Sequence, residues 1–236
     1  MEKFSRLELL INKEQFNKLQ NSKVLVFGLG GVGGYVTEGL VRSGIGSLTL
    51  VDYDHITLSN FNRQIIADET SLGELKTVAF SKRIRQIDPN CQVETVSDFI
   101  LPETLTELDF KSYDYIIDAI DTVATKLAII EKAKREEIAI ISAMGFGNKL
   151  DPGKIKIGDI SETAICPLAK VMRRELRKRN IENVTVAYST EVPLRPLESQ
   201  QNDNGKITVG SFAPVVATAG FAIAAYVIND MIVTDH

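Results

Sequence analysis

Up to about residue 145 the apolar positions alternate between two spacings. "KVLVFGLGG" is a β-branched run that stops at glycines, and "VGGYVTEGLVRSG" follows with apolar residues at helical spacing and a stop at Gly44. The pattern predicts strand, tight turn and helix. Before it, residues 12–20 read as a short polar helix. Beyond it come "SLTLVD" as a second strand, "GELKTVAFSKRIRQIDP" as a helix closed by Pro89, and "CQVETVSD" as a third strand. "YDYIIDAID", "TVATKLAIIEKAKREE" and "IAIISAM" give a fourth strand, a helix and a fifth strand. Strands and helices alternating at these lengths predict an α/β fold with a doubly wound, largely parallel sheet.

After Gly145 the rhythm changes. "FGNKLDPGKIKIGDI" sets turn residues around a short alternating strand, "CPLAKVMRRELRKRN" is helical and "VTVAYS" is a strand. No crossover helix links them in the earlier manner, so antiparallel strands are expected to extend the sheet in the C-terminal third. Residues 189–206, polar with two prolines, predict a mobile loop. Ile207–Asn229 carries no charge over 23 residues, long enough to cross a bilayer. It is nevertheless rich in Gly, Ala, Thr and Ser, holds Pro214, and lacks flanking Lys/Arg asymmetry or an aromatic belt. The expectation is a small-residue helix in the core or against a second subunit, not a transmembrane span; peripheral membrane contact stays open.

Neither an internal repeat nor a clear boundary divides the 236 residues, so a single domain is expected over 1–236. A net charge of −4 and a pI near 5.4 exclude a wholly basic coat for nucleic acid but leave room for a local basic face. Only Cys91 and Cys166 are present, without a CxxC pair, and no tetrahedral zinc site can be built. With no signal-peptide core at the start, this cysteine usage fits the cytoplasm.

The chemistry begins at "GLGGVG". Gly28, Gly30, Gly31 and Gly33 allow a tight turn and close approach to phosphate oxygens, which the N–H groups of the next helix can meet. Asp52, closing the second strand, is placed to accept ribose hydroxyls. These features fit NAD as well as ATP. The tie is broken by "DYDHITLSNFNRQ", because a triphosphate attacked at its α-phosphorus needs its β- and γ-oxygens neutralised. Arg63 offers a forked permanent cation, Lys76 a point charge and Asn60 a neutral donor, with Gln64 beside them. Asp121, in "DAID", lies where open sheets bind ligands and can hold Mg²⁺, with Asp118 as the second choice. Singly, each of these residues is more simply a solvated charge or a helix cap; jointly, in this order, they are not.

"GLGGVG", "DYDHITLSNFNRQ", "GELK" and "DAID" resemble the E1-like activating enzymes, which adenylate carboxyl groups with ATP and Mg²⁺. The resemblance covers nearly the whole chain. It implies a Rossmann-like E1/ThiF fold with an N-terminal arm and helix over 1–22, a nucleotide-binding part over 23–145 and a substrate and dimer part over 146–236. It further implies that Asp52 holds ribose, that Asn60, Arg63 and Lys76 hold the triphosphate, and that Asp121 binds the metal. Arg63, Lys76 and Asp121 are thus the expected catalytic set. Arg6, in "SRLELLI", matches an arginine that reaches the neighbouring subunit's site, so a homodimer is implied.

Within that superfamily, "DPGKIKIGDISETAICPLAKVMRRELRKRNI", "VAYSTEVP" and "GSFAPVVATAGFAIAAYVI" are similar to the tRNA threonylcarbamoyladenosine dehydratases. Those enzymes often carry an aspartate where Cys166 stands. The implied reaction adenylates the threonyl carboxylate of N6-threonylcarbamoyladenosine (t6A) in tRNA and closes a ring with net loss of water. The nucleophile belongs to the substrate, so no catalytic cysteine is needed. A sulfur-relay protein is carried as a candidate partner, a monovalent cation as a candidate cofactor, and a thioester on Cys166 as an alternative role.

An RNA substrate needs a binding face. Lys170, Arg173, Arg174 and Arg177 fall at i, i+3, i+4 and i+7 of one predicted helix, with Lys178 and Arg179 adjoining. The plainer reading is a solvated helix face. Three other functions stay in play: adenylation of a sulfur-carrier protein's C-terminus, a nicotinamide oxidoreductase or sensor, and a non-catalytic tRNA-binding scaffold.

Overall fold

Strand β1, Lys23–Phe27, is buried from Val24 onward on both faces, as a central strand covered by helices on each side must be. Around it the chain, in a computed structural model that describes residues 3–197 and 208–233, forms a seven-stranded sheet. The other strands are β2 Ser47–Val51, β3 Gln92–Val96, β4 Tyr115–Asp118, β5 Ala139–Ala143, β6 Ile155–Asp159 and β7 Thr185–Ser189. Their order across the sheet is β3-β2-β1-β4-β5-β7-β6. Helices α1 Lys13–Asn21, α2 Gly33–Arg42, α3 Lys76–Ile87, α4 Val123–Arg135, α5 Pro167–Lys178 and α6 Ala213–Val233 surround it.

The predicted elements through residue 145 are all present. Asn12 caps α1 by accepting from Gln15 N at 2.8 Å, while the Gln15 side chain accepts from Asn12 N at 3.0 Å. In the C-terminal third the antiparallel addition is β6, which pairs with β7. β7 itself runs parallel to β5, with Ile141 opposite Thr185. Helix α5 is therefore a crossover connection, a role hidden in the sequence because β6 is interposed between β5 and that helix. From 198 to 206 the expected mobile loop lies outside the described residues.

Among the described residues, one helix, α6, is long and apolar enough to cross a membrane. Much of it is buried here: Val215, Val216, Ala219, Ile223, Ala224, Val227, Ile228 and Met231 belong to the core. Its small residues follow from how closely it lies on α2. A Cβ on Gly39 would stand 2.7 Å from Ala224 Cβ, and one on Gly220 would stand 2.6 Å from Tyr35 Cβ and the Val32 oxygen.

Strand order reverses between β1, which leads outward to β2 and β3, and β4, which leads to β5. Such a switch point leaves a crevice beyond the C-terminal strand ends, where ligands bind in this class of sheet. Helix α2, which starts at that crevice, is braced from behind by buried Glu38. Its carboxylate accepts from Arg42 Nε at 2.7 Å and from Arg83 Nε and Nη2 at 2.6 and 2.9 Å.

Burial pushes the Glu38 carboxyl up, but the two guanidinium groups outweigh it and hold the group below its ordinary value. The stabilisation is therefore full above the ordinary carboxylate range and is lost as pH falls through the depressed value. Glu38→Gln should lower unfolding free energy by about 2 kcal/mol at neutral pH, with the difference from wild type shrinking toward acid; urea melts across pH check this.

Candidate active site

A cavity of about 510 Å³ opens at the switch point. Gly28, Gly30 and Gly31 form one wall. Gly28 has φ +86°, and a Cβ there would sit 2.8 Å from the Ala119 oxygen, so β1 and β4 can end side by side only with glycine. Gly33, also expected to meet the nucleotide, lies off the cavity wall in this structure. A Cβ on it would lie 1.8 Å from the Gly28 oxygen: its part is to let α2 pack on the turn.

Asp52 lines the cavity just past β2. Its Oδ2 accepts from Leu29 N at 2.6 Å and its Oδ1 from Asp54 N at 2.8 Å. Lys76, buried at the start of α3, donates to Asp54 Oδ2 at 2.7 Å and stands 3.7 Å from Asp52 Oδ1. Burial pushes the Asp52 carboxyl above its ordinary value, and Lys76 and the two amides pull it back only in part. Asp54 escaped the sequence reading, although "DYD" spaces two carboxylates on the same side of an extended chain.

A short 3₁₀ turn, Leu58–Asn60, brings the next group into place. Asn60 is buried and accepts from Thr57 N at 3.2 Å. Arg63 donates to Ser59 O at 2.6 Å and to Asn62 Oδ1 at 3.0 Å, and burial lowers its pKa from the ordinary value. Gln64 is buried on the wall, and its Oε1 has no hydrogen-bond partner among the described residues. Buried acceptors left unpaired are few in native proteins, and this one stands at the cavity wall. An edge-on aromatic pair, Tyr53 and Phe99, closes the rim at a centroid distance of 4.7 Å, with Asp98 beside it.

Opposite these lie Ala119, Ile120, Asp121 and Thr122. Asp121 is exposed to the cavity, and among the described residues nothing forms a hydrogen bond or ion pair with it. A carboxylate left free in this way is a donor of the kind magnesium takes from a protein. Asp118 is corrected as the second choice: it is fully buried, and its carboxylate is engaged by Lys126 and Ser142.

The far end is apolar, with Met144, Gly145, Phe146, Leu168 and Val209. Cys166 is buried behind it, off the wall, with its thiol 3.9 Å from the Gly145 oxygen. Cys91 is buried and its thiol is pushed up to about 12, first by desolvation and then by Asp88. Arg6 is exposed on the N-terminal arm and does not reach this chain's cavity.

Helix α5 begins at the cavity, where Leu168 is part of the wall. Ala169, Met172 and Leu176 bury its inner face, while Lys170, Arg174, Arg177, Lys178 and Arg179 are exposed. Arg173 departs from the expected stripe: its guanidinium donates to the Thr163 carbonyl and hydroxyl and is only partly exposed. Glu175 takes part of the charge, pairing with Arg174 at 3.1 Å, Lys178 at 3.0 Å and Arg179 at 3.3 Å.

A glycine turn, two cations and a free carboxylate around a crevice at the switch point define a nucleotide-binding α/β protein of the doubly wound class. The chain belongs to the ThiF family, which it matches over residues 4–234. It is 38% identical to the tRNA threonylcarbamoyladenosine dehydratase of Bacillus subtilis, over 98% of this chain and 95% of that one. To the enzyme of that name from Haemophilus influenzae it is 36% identical, over 98% and 94%. Solved structures of the Escherichia coli tRNA N6-threonylcarbamoyladenosine dehydratase in complex with AMP and with ATP superpose with TM-scores of 0.88 and 0.87. Both are 32% identical, across 97% of this chain and 93% of theirs.

The two glycines separate packing from ligand approach. Gly33→Ala should destabilise the fold by on the order of 3 kcal/mol through overpacking. Gly30→Ala, whose Cβ meets only Gln64 Nε2 at 4.0 Å, should leave the urea midpoint near wild type while weakening AMP binding. Equal midpoints for the two variants would contradict the assignment.

Proposed function

We propose that this protein uses ATP to dehydrate t6A in tRNA to its cyclic form. The single observation that carries the reading is the arrangement of Arg63, Lys76 and Asp121 around the glycine turn, at the foot of a basic helix. The names and nucleotide complexes of the relatives support it.

The threonyl carboxylate attacks the α-phosphorus of ATP, giving an acyl-adenylate and pyrophosphate. The carbamoyl oxygen or N6 nitrogen of the same substrate then attacks the activated carbonyl, a five-membered ring closes, and AMP departs with the carboxylate oxygen. The oxygen lost as water on paper thus leaves in AMP. Asp52 and the glycine turn hold the nucleoside side, while Arg63 and Lys76 face the departing pyrophosphate, where charge grows during the step. Magnesium, held through Asp121, would neutralise phosphate oxygens and orient them in line. Proximity and phosphate electrostatics carry the rate, with no protein nucleophile.

Charge on the wall argues for two additions. Among the described residues the wall sets Asp52, Asp54, Asp98 and Asp121 against Arg63 and Lys76, so carboxylates exceed cations by two. A triphosphate enters such a site readily only with divalent metal and a further cation, which suits a homodimer in which the partner's Arg6 completes the site. The exposed basic residues of α5 lead from the cavity and suit an RNA backbone. Two buried, unpaired thiols agree with action in the cytoplasm.

With ATP, Mg²⁺ and t6A-bearing tRNA, the nucleoside recovered after mild digestion should be lighter by one water, and AMP and pyrophosphate should form in equal amounts. Activity on a sulfur-carrier protein without tRNA would overturn the reading. Arg63→Ala should slow turnover tenfold or more, about 1.4 kcal/mol in the transition state, and unchanged turnover would remove it from the site. Lys170→Glu with Arg177→Glu should weaken tRNA binding and flatten its salt dependence, with ATP affinity unchanged. Equal tRNA binding by this variant and wild type across salt would discard the basic face.

A further inference from the structure

The geometry points to Lys126 and Asp118 as positioning residues that set where Asp121 stands on the cavity wall, an inference that rests on Asp121 as the metal-holding carboxylate. Neither residue lines the cavity, and both side chains are 0% exposed. Asp118 Oδ2 accepts from Lys126 Nζ at 2.8 Å and from Ser142 Oγ at 2.6 Å. Its other oxygen accepts from Ile120 N at 3.3 Å, and Lys126 Nζ donates a second time, to Ile120 O at 3.1 Å. The carboxylate therefore holds the backbone N–H of Ile120 while the ammonium holds its carbonyl. Ile120 immediately precedes Asp121.

Three elements meet in this contact. Asp118 ends β4, Ser142 lies opposite it on β5, and Lys126 comes from the first turns of α4. The turn between β4 and α4 is otherwise tied by Ala119 N to Phe27 O at 2.8 Å, before the residue that matters. A buried ion pair is a poor device for stability alone, since desolvating two charges offsets most of their attraction and apolar groups of equal volume usually serve as well. What charge adds is direction. The carboxylate accepts and the ammonium donates along fixed lines, and here those lines end on the N–H and the carbonyl of Ile120, the residue that leads into Asp121.

The test measures binding of ATP in the presence of Mn²⁺ by calorimetry, beside binding of AMP without metal. Lys126→Met with Asp118→Asn removes both charges at similar volume, and Ser142→Ala is the milder change. In the double variant, affinity for the metal–nucleotide pair should fall at least tenfold while AMP binding stays within twofold; Ser142→Ala should move the same way by about threefold. Either folded variant binding both ligands as wild type does, or losing both equally, would overturn the proposal. Should the double variant not fold, Ser142→Ala decides by the same criterion. Asp121→Ala run alongside separates the two levels: undiminished Mn²⁺·ATP binding there would overturn the metal reading beneath the proposal.

Discussion

Asp52 has two carboxylate oxygens, and each takes a backbone amide: Leu29 N in the glycine turn and Asp54 N in the segment beyond β2. That contact joins the end of β1 to the end of β2 across the crevice. It also places Asp54, which in turn holds the Lys76 ammonium at 2.7 Å. Hydrogen bonds from N–H to carboxylate are short and strong, and here they lie in a largely buried setting where water competes poorly. The glycine turn is therefore shaped before a nucleotide arrives, and little reorganisation remains for binding to drive.

Preorganisation of this kind has an electrostatic consequence. A carboxylate buried against amides is good for fixing a loop and unfavourable next to a triphosphate, so the wall needs compensating cations close by. Arg63 and Lys76 supply them on one side, each tethered to a neighbouring group rather than free in solvent. On the other side Asp121 remains without a hydrogen-bond or ion-pair partner among the described residues, beyond the end of β4 where it is open to a metal. Two differently treated carboxylates, Asp118 sealed and Asp121 open, thus stand three residues apart on one turn.

The nucleotide half was legible in the sequence because its rules are local. Glycines at a strand end, an aspartate closing the next strand and helical spacing between them each act over a few residues. Less legible was whatever depends on distant partners. "DAID" offers two aspartates, and only the packing of Lys126 and Ser142 against Asp118 shows which is sealed. Arg173 fits the basic stripe by spacing, yet Thr163, ten residues earlier, draws its guanidinium inward. That Gly33 must be glycine for α2 to pack on the Gly28 carbonyl was also hidden, because the motif shows the spacing and not the contact. The parallel placement of β7 was hidden because β6 interrupts the crossover, and Asp54 was passed over because its partner Lys76 lies 22 residues on.

If the substrate carboxylate attacks the α-phosphorus, one of its oxygens must leave in AMP, and oxygen tracing reads that transfer. With t6A-bearing tRNA labelled with ¹⁸O in the threonyl carboxylate, one labelled oxygen should appear in AMP, read by mass spectrometry. Label in inorganic phosphate together with ADP would mean activation at the γ-phosphorus, and label in neither would mean that no acyl-adenylate forms; either result would contradict the account.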